Sequence, residues 1–512
     1  MKIYKIINLI PAIRAIIAEE SLLPKIDNET PLIFKILKFV LLVKKNNKTD
    51  LSKTFKKLGP TWIKLGQFLS TRPDIIGEVL ANKLKNLQDK VEPFSIDEAK
   101  EILRNEYKEE FENIFIEIFP SENAASIAQV HKAKIQIDNI KSYVAIKILR
   151  PKVEKDIKKD LNNFFITANF LEKFFSEARR LRLTDVVKTL AESLSMEVDL
   201  RLEAAAQSEM RENTIDDKYF IIPNVYWDLT RKNILISDWV EAIPAKDLIE
   251  LNNKKINLKK VGKNILRAFL TTSIRDGLFH ADMHQGNLFV EKGEKIIAVD
   301  FGIVGHLDFD SKQYLNNILL GFINRDYNKI AKIHFEAGYV PQTEDKRKFA
   351  QALRSIGEPI QGKDAKDISI GGLLTQLFEI TNQFNMKTQP QLLLLQKTMV
   401  VVEGVARKLN PNTNIWTTSK PVLENWLKET KNPMTALNET LQNTSEVIKR
   451  LPEFPEIMDK ANQALTYLAS GQIPQNSNSY TALNNKKSEM MAFRNQSIMG
   501  ILILVIFGLL VF

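Results

Sequence analysis

The chain has 512 residues, 44% hydrophobic and 26% charged, a globular balance in a chain too long for one core, so two or three structural units are expected. It has no cysteine, which excludes disulfides, thiolate zinc sites and cysteine-ligated iron–sulfur clusters, and five histidines leave little material for a metal cluster. The net charge of +10 comes without a basic stripe interleaved with aromatics and without zinc-finger spacing, so nucleic acid is not expected as a partner.

Residues 1–50 carry nine Lys or Arg against five Asp or Glu amid long apolar runs. MKIYKIINLIPAIRAIIAEE and LIFKILKFVLLVKK place apolar residues around a helix with cations at intervals, and both are too interrupted for a secretory signal. They read as basic amphipathic helices, suited either to anionic lipid surfaces or to packing on the main domain. A genome that enriches Lys, Ile and Asn is a second source of the charge.

The next stretch, Leu58 to Phe94, starts a helix with Pro60 in its first turn, bends at Arg72-Pro73-Asp74 and resumes a helix over Ile75–Leu87. Lys64 and Gln67 are three residues apart and share a face, which taken alone reads as solvated. Ser95 and Glu98 form a capping box for a helix through Tyr107. From Phe119 the pattern becomes that of strands. Ile127–Ile135 and Tyr143–Leu149 pair around a turn near Asp138-Asn139, and Ala124, Ala125 and Ser126 form the loop feeding the first strand. VAIK, ending at Lys147, matches the strand lysine that contacts nucleotide phosphates in kinases. Such a lysine needs a carboxylate, and the helix LTDVVKTLAESLSMEVDLRLEAAAQSEMRE offers Glu197, Asp199 and Glu203. Over one helix Glu197 and Glu203 are separated by about 600°, so they face different ways and can serve two lysines. Ile234–Val240 reads as a buried strand running into a connector.

His280 to Gly302, HADMHQGNLFVEKGEKIIAVDFG, carries the polar groups of a phosphoryl-transfer site. Asp282 and Asn287 stand five residues apart, the spacing of the Asp and Asn in a protein-kinase catalytic loop. Leu288–Val290 and Ile296–Val299 read as a hairpin around EKGEK, whose antiparallel return brings Asp300 beside Asn287. Asn287 and Asp300 supply oxygens suited to Mg²⁺, and Asp282 suits a hydroxyl acceptor.

After Pro244 the chain reads as mostly helical to about Leu427, with LLLLQKTMVVVEGVARKL a buried helix. GEPIQGKD, Gly357 to Asp364, copies P-loop spacing but has Asp364 in the hydroxyl position and no preceding strand, so it is set aside. SGQIPQNSNSYTALNNKKSE is a polar linker. Ile498–Phe512 is wholly uncharged and, as a helix, spans ~22 Å against a hydrocarbon core of ~30 Å, a marginal span or a tail anchor. Lys486, Lys487 and Arg494 precede it and put the main body on the cytoplasmic side.

KLGQFLSTRPD, NAASIAQVHKA, VAIKILRP, EVDLRLEAA, HADMHQGN and VDFG stand in the order found in UbiB-type atypical kinases, tied to ubiquinone biosynthesis, which residues 50–430 resemble. The resemblance implies an α+β, two-lobed protein-kinase-like fold with a helical N-terminal extension and a C-terminal membrane segment. Its plan is 1–50 basic amphipathic segment, 51–110 extension with the KLGQ motif, 111–240 N-lobe, 241–430 C-lobe, 431–489 helical tail and linker, and 490–512 membrane anchor. It implies ATP and Mg²⁺ as cofactors. Lys64 and Gln67 would belong to an extension that covers the active site and pairs with Glu197 and Asp199. Lys147 would bind phosphates with Glu203 as its partner, beneath an alanine-rich loop of Ala124, Ala125 and Ser126. Asp282 and Lys64 would be catalytic, and Asn287 and Asp300 metal ligands. Ser121 and Asn123 stand where the family has Pro and Ala, and one short C-terminal segment stands where bacterial relatives often carry two.

Two functions fit these features. One is a Mg²⁺-dependent kinase or ATPase acting on or near lipid quinone precursors at the bacterial inner membrane, its main domain cytoplasmic, with membrane lipids and other ubiquinone-biosynthesis proteins as partners. The other is a nucleotide-gated scaffold for membrane-bound biosynthetic enzymes. No APE-type motif follows Gly302, which argues against an ordinary protein kinase. A hydroxylase role attached to this family lacks a GxGxxG fingerprint, a cysteine or a histidine–carboxylate iron site.

Overall fold

The computed structural model describes residues 51–430 apart from 71, 73–80, 82–83, 85–86, 88–90, 122–123, 175–178, 180, 359–379, 381–382, 387–388 and 414. The expected amphipathic segment 1–50, tail 431–489 and membrane anchor 490–512 lie outside those residues, as do Asn123, most of Ile75–Leu87 and most of GEPIQGKD. Among the described residues no helix is long and apolar enough to cross a membrane. The chain divides into two compact units. The first takes the described residues up to Ala205 together with Asn224–Trp239, and the second takes Ala206–Pro223 and the residues from Val240 on.

The first unit opens with helices α1 (Leu51–Leu58) and α2 (Pro60–Ser70), followed by α3 (Ile96–Tyr107). Ser95 caps α3 by accepting the Glu98 N–H at 3.1 Å. Strands β1 (Phe115–Ile118), β2 (Ala128–Ile137), β3 (Ile140–Leu149) and β4 (Ile234–Asp238) form one antiparallel sheet in that order. Asp138 and Asn139, with φ of 48° and 63°, supply the paired left-handed residues of a two-residue hairpin turn, which holds β2 and β3 in unbroken register. Alternation does the rest. Val144, Ile146 and Ile148 of β3 are buried with Leu103 and Tyr107 of α3, which puts Lys147 on the opposite face.

That opposite face is flanked by α4 (Val153–Phe174), α5 (Leu183–Glu197) and α6 (Leu200–Thr214). Leu149, Leu194, Val198, Leu200, Ala204 and Leu235 share one apolar cluster there, and Leu65 and Phe68 of α2 pack against it. Trp62 wedges α2 in place, edge-on to Phe164 at 5.1 Å and to Phe55 at 6.0 Å. The single helix expected from Leu183 onward is two, a correction with a physical cause. Asp199 accepts the Arg201 N–H at 3.1 Å, the bond of an N-cap, so a new helix starts at Leu200.

The second unit is built on α7 (Leu258–Thr271), a π-helical turn over Thr272–Asp276, and β5 (Leu278–His280). The expected hairpin is present as β6 (Leu288–Glu291) and β7 (Lys295–Ala298), and β8 (Val304–His306) returns antiparallel to β5. Helices α8 (Phe309–Ile323), α9 (Tyr327–Glu336), α10 (Lys346–Gly357), α11 (Pro390–Leu409) and α12 (Ile415–Thr430) complete it. The apolar run of α11 buries a stripe, Leu395, Val402, Val405, Ala406 and Leu409, in a core shared with Val261, Ile265 and Phe269 of α7.

The α7–α11 crossing depends on Gly262, where an added Cβ would lie 2.9 Å from the Ala406 carbonyl oxygen. A backbone atom between two packed helices cannot turn aside, so Gly262→Ala should destabilise the fold by about 1–3 kcal/mol. Urea or thermal unfolding checks this, and an unchanged midpoint would contradict the packing.

Candidate active site

In the first unit Lys147 and Glu203 meet. Lys147 Nζ donates to both carboxylate oxygens of Glu203, at 2.7 and 2.9 Å. Lys147 comes from the face of β3 opposite the one buried with α3, and Glu203 from the first turn of α6, the turn set by the Asp199 cap. Only 9% of Glu203 is exposed, so its charge depends on the lysine for compensation. A second pair lies at the end of α5, where Lys64 Nζ stands 2.7 Å from Glu197. Asp199 makes a two-point contact with Arg201, at 2.9 and 2.7 Å, which holds its carboxyl below the usual carboxylate range. Gln67 Nε2 donates to the Leu87 carbonyl at 3.4 Å.

Ala124, Ala125 and Ser126 form the loop before β2. The Ala125 N–H bonds back to the Ala128 carbonyl at 2.8 Å, and Ala124 bridges to Gln129. Ser126 is fully buried and its Oγ has no hydrogen-bond partner among the described residues. Three residues outside the expected set shape this loop: Gln129, His131 and Arg150. Gln129 and His131 are buried, two apart on β2, with their Nε2 atoms 2.7 Å apart. His131 Nδ1 lies 2.9 Å from the Phe119 carbonyl, so Nδ1 carries the proton and Nε2 accepts from the Gln129 amide. Their signal was a polar pair, Gln and His, at alternate positions in an otherwise apolar strand face.

In the second unit the segment from His280 to Asn287 and the segment from Val299 to Val304 are sewn together by backbone bonds. The Val299 N–H donates to the Asn287 carbonyl and the Ala281 N–H to Ile303, both at 3.0 Å. Asn287 therefore lies across the ladder from Val299, next to Asp300, the juxtaposition that the hairpin reading anticipates. Asn287 Nδ2 donates to the Asp282 carbonyl at 3.1 Å, which leaves Oδ1 as the atom able to ligate a cation. Asp300 has φ of 65°, and the following Phe301 is buried in the core. Left-handed backbone at a non-glycine residue persists where the surroundings impose it. Asp282 is 45% exposed, with His284 Nε2 at 3.6 Å.

His280 organises this half. Its Nδ1 accepts the Asp282 N–H at 3.1 Å, which fixes the proton on Nε2, 3.1 Å from the Val299 carbonyl. The ring is buried and packs 4.9 Å from Phe301. Burial lowers its pKa below the ordinary histidine value. The motif showed this histidine, but only the fold reveals that it joins the loop to the residue before Asp300.

No group of three or more His, Asp or Glu side chains among the described residues is arranged to hold a metal ion alone. The donor set nonetheless suits Mg²⁺ bound with a nucleotide, because that ion takes one or two protein oxygens and completes its shell from phosphates and water. Asn287 Oδ1 and the Asp300 carboxylate are such oxygens. The buried Ser126 hydroxyl and the Lys147 ammonium are donors of the kind that phosphate oxygens accept from.

A family model described as the ABC1 atypical kinase-like domain matches residues 86–334, and one described as the UbiB helical domain matches residues 353–414. The protein named "Probable protein kinase UbiB" of Marinobacter nauticus is 38% identical over 411 residues, 79% of this chain and 75% of its own. The protein of the same name in Histophilus somni is 38% identical over 442 residues, 84% of this chain and 81% of its own. The solved complex of Rv3197 with erythromycin, from Mycobacterium tuberculosis, aligns with 76% of this chain and 96% of its own at 21% identity and a TM-score of 0.48.

Burial holds three histidines below the ordinary value of 6.5: His131, His280 and His334, the last at about 4. Unfolding restores the ordinary value. Below about pH 6.5 the unfolded chain therefore takes up protons that the folded chain refuses, and stability is lost as pH falls toward the folded values; above that pH the contribution is fully present. Urea midpoints should fall between about pH 7 and pH 5, and His334→Leu should flatten part of that slope. A profile level across this range would contradict the burial of all three rings.

Proposed function

The chain belongs to the UbiB family of ABC1 atypical kinase-like proteins, and from that membership we propose that it is an ATP-binding, Mg²⁺-dependent kinase or ATPase. The reading places its work in ubiquinone biosynthesis, on or around lipid quinone precursors at the cytoplasmic face of the bacterial inner membrane. The observation that carries the reading is the two-point contact between Lys147 and Glu203, 2.7 and 2.9 Å. A lysine held by a carboxylate is presented to phosphate oxygens in fixed orientation and with its charge retained.

A bound nucleotide supplies the phosphoryl group, and its Mg²⁺ neutralises the charge that develops as it transfers. Lys147 contacts phosphate oxygens and Glu203 orients it. Asn287 Oδ1 and Asp300 offer oxygens to the metal, and the half-exposed Asp282 accepts the proton of an attacking hydroxyl or orients it. The Ala-rich loop, Ala124 to Ser126, borders the phosphates. Lys64, paired with Glu197, keeps the extension on the unit and restricts what else enters.

Asp300→Asn removes an anionic ligand from a doubly charged cation, and Lys147→Ala removes the phosphate contact. Each should cut Mg-ATP affinity by about tenfold or more, a loss of ~1.4 kcal/mol or greater. Thermal shift with Mg-ATP reads this out, and an undiminished shift in either variant removes that residue from the site. Lipid-stimulated ATP hydrolysis by the purified protein separates the enzyme from a non-catalytic, nucleotide-gated scaffold, which would bind without turnover.

Membrane attachment is assigned to residues 1–50 and 490–512, on the basic amphipathic character of the one and the uncharged run of the other. Removing 490–512 should shift the protein toward the soluble fraction, and high salt should release the remainder by screening the basic segment. A truncated protein that stays membrane-bound in high salt would show that the anchor lies elsewhere.

A further inference from the structure

The Ala-rich loop is fastened to the stretch of chain that leaves the Lys64 extension. The Val91 N–H donates to the Ala124 carbonyl at 3.3 Å. Arg150 spans the junction, donating from Nε to the Ala125 carbonyl at 3.2 Å and from Nη2 to the Glu92 carbonyl at 2.8 Å. One residue pair further on, the Gln129 amide engages both backbone groups of Phe94, accepting its N–H at 2.9 Å and donating to its carbonyl at 3.2 Å. His131 holds that amide from the other side at 2.7 Å.

The same stretch is tied to α2. Leu87, four residues before Val91, accepts the Gln67 amide at 3.4 Å. Its side chain also fills the space above Gly66, where a Cβ would come within 2.6 Å of Leu87 Cδ2. Described contacts therefore join the helix bearing Lys64 to Leu87, and join Val91–Phe94 to the loop bearing Ala124 and Ala125.

We propose that Arg150 and Gln129 are positioning residues that couple the Lys64 helix to the Ala-rich loop, so that nucleotide at the loop and the seating of the extension stabilise one another. The nucleotide half of this rests on the function proposed above; the seam itself does not. Chemistry explains the residue types. Two carbonyls that belong to different segments require donors set in a rigid fork, which guanidinium has and ammonium lacks. A backbone N–H and C=O on one residue require a primary amide, which alone carries a donor and an acceptor side by side. By linkage, whatever a nucleotide gains from an ordered loop the extension gains from the nucleotide.

Full-length protein carrying Arg150→Lys tests this, with Gln129→Glu as the second variant, since a carboxylate loses the donation to Phe94 and to His131. Hydrogen exchange is measured without nucleotide over Ala124–Ala128 and over Trp62–Leu69. Coupling requires both segments to exchange about tenfold faster in either variant, the scale of a lost charge-assisted bond. Faster exchange at Ala124–Ala128 alone would overturn the proposal and leave Arg150 a local prop. The second arm is a cycle of Arg150→Lys, Lys64→Ala and the double variant, read as Mg-ATP affinity. Coupling requires the double variant to lose clearly less than the product of the single losses, and multiplicative losses overturn it. Full affinity in Arg150→Lys also overturns it, because charge alone would then suffice. An unmutated protein that binds no nucleotide would refute the function proposed above, while the exchange arm would still decide the seam.

Discussion

The first unit is organised around a buried charge and the lysine that meets it. Glu203 is all but buried, and a carboxylate in that setting is costly unless paired and hydrogen-bonded. Lys147 meets it with two bonds, and neither group can drift. Lys147 sits between Ile146 and Ile148, both fully buried, while Leu200 and Ala204 seat α6 in the cluster that also holds Leu149 and Leu235. The apolar packing thus serves the polar contact. Replacing such a pair with apolar residues is often neutral for stability, so its presence is better explained by what the lysine does than by what the bridge adds to the fold.

The break between α5 and α6 distributes two carboxylates to two lysines. Glu197 is the last residue of α5 and reaches Lys64 of α2, and Glu203 lies in the first turn of α6 and reaches Lys147. Asp199 makes this possible as a cap, and its carboxylate is occupied by the Arg201 N–H and guanidinium. Three acidic residues in seven positions do three different things: one pairs with Lys64, one starts a helix, one holds Lys147.

Much of this was legible because the signals were local. The hairpin of β2 and β3, its Asp138-Asn139 turn, the Ser95 cap and the return of Asp300 beside Asn287 all follow from periodicity and turn chemistry across a few residues. The α5–α6 break was missed because apolar spacing continues through Leu194, Val198, Leu200 and Ala204, so helical period alone runs across the cap. Gln129 and Arg150 were missed for a different reason. Their partners, Phe94 and Glu92, lie 35 and 58 residues away, and no pattern in one sequence records such a pairing. In isolation Gln129 is a polar residue on a strand and Arg150 a charge before Pro151.

Both units solve the same problem with the same side chain. A loop that must present groups to a ligand cannot be stiffened by a core of its own, because its polar backbone would go unsatisfied. In each unit a buried neutral imidazole serves as the splint. His131 donates from Nδ1 to Phe119 and accepts at Nε2 from Gln129, behind the Ala-rich loop. His280 accepts at Nδ1 from Asp282 and donates from Nε2 to Val299, behind the Asp282 loop. Imidazole alone offers one donor and one acceptor on opposite edges of a rigid ring, so it can join two backbone segments without leaving either unsatisfied. The arrangement requires the neutral form, since a second ring proton would turn the accepting nitrogen into a donor facing another donor. The burial that lowers both pKa values therefore also keeps both splints intact. Neither ring adds a charge to the loop that it holds.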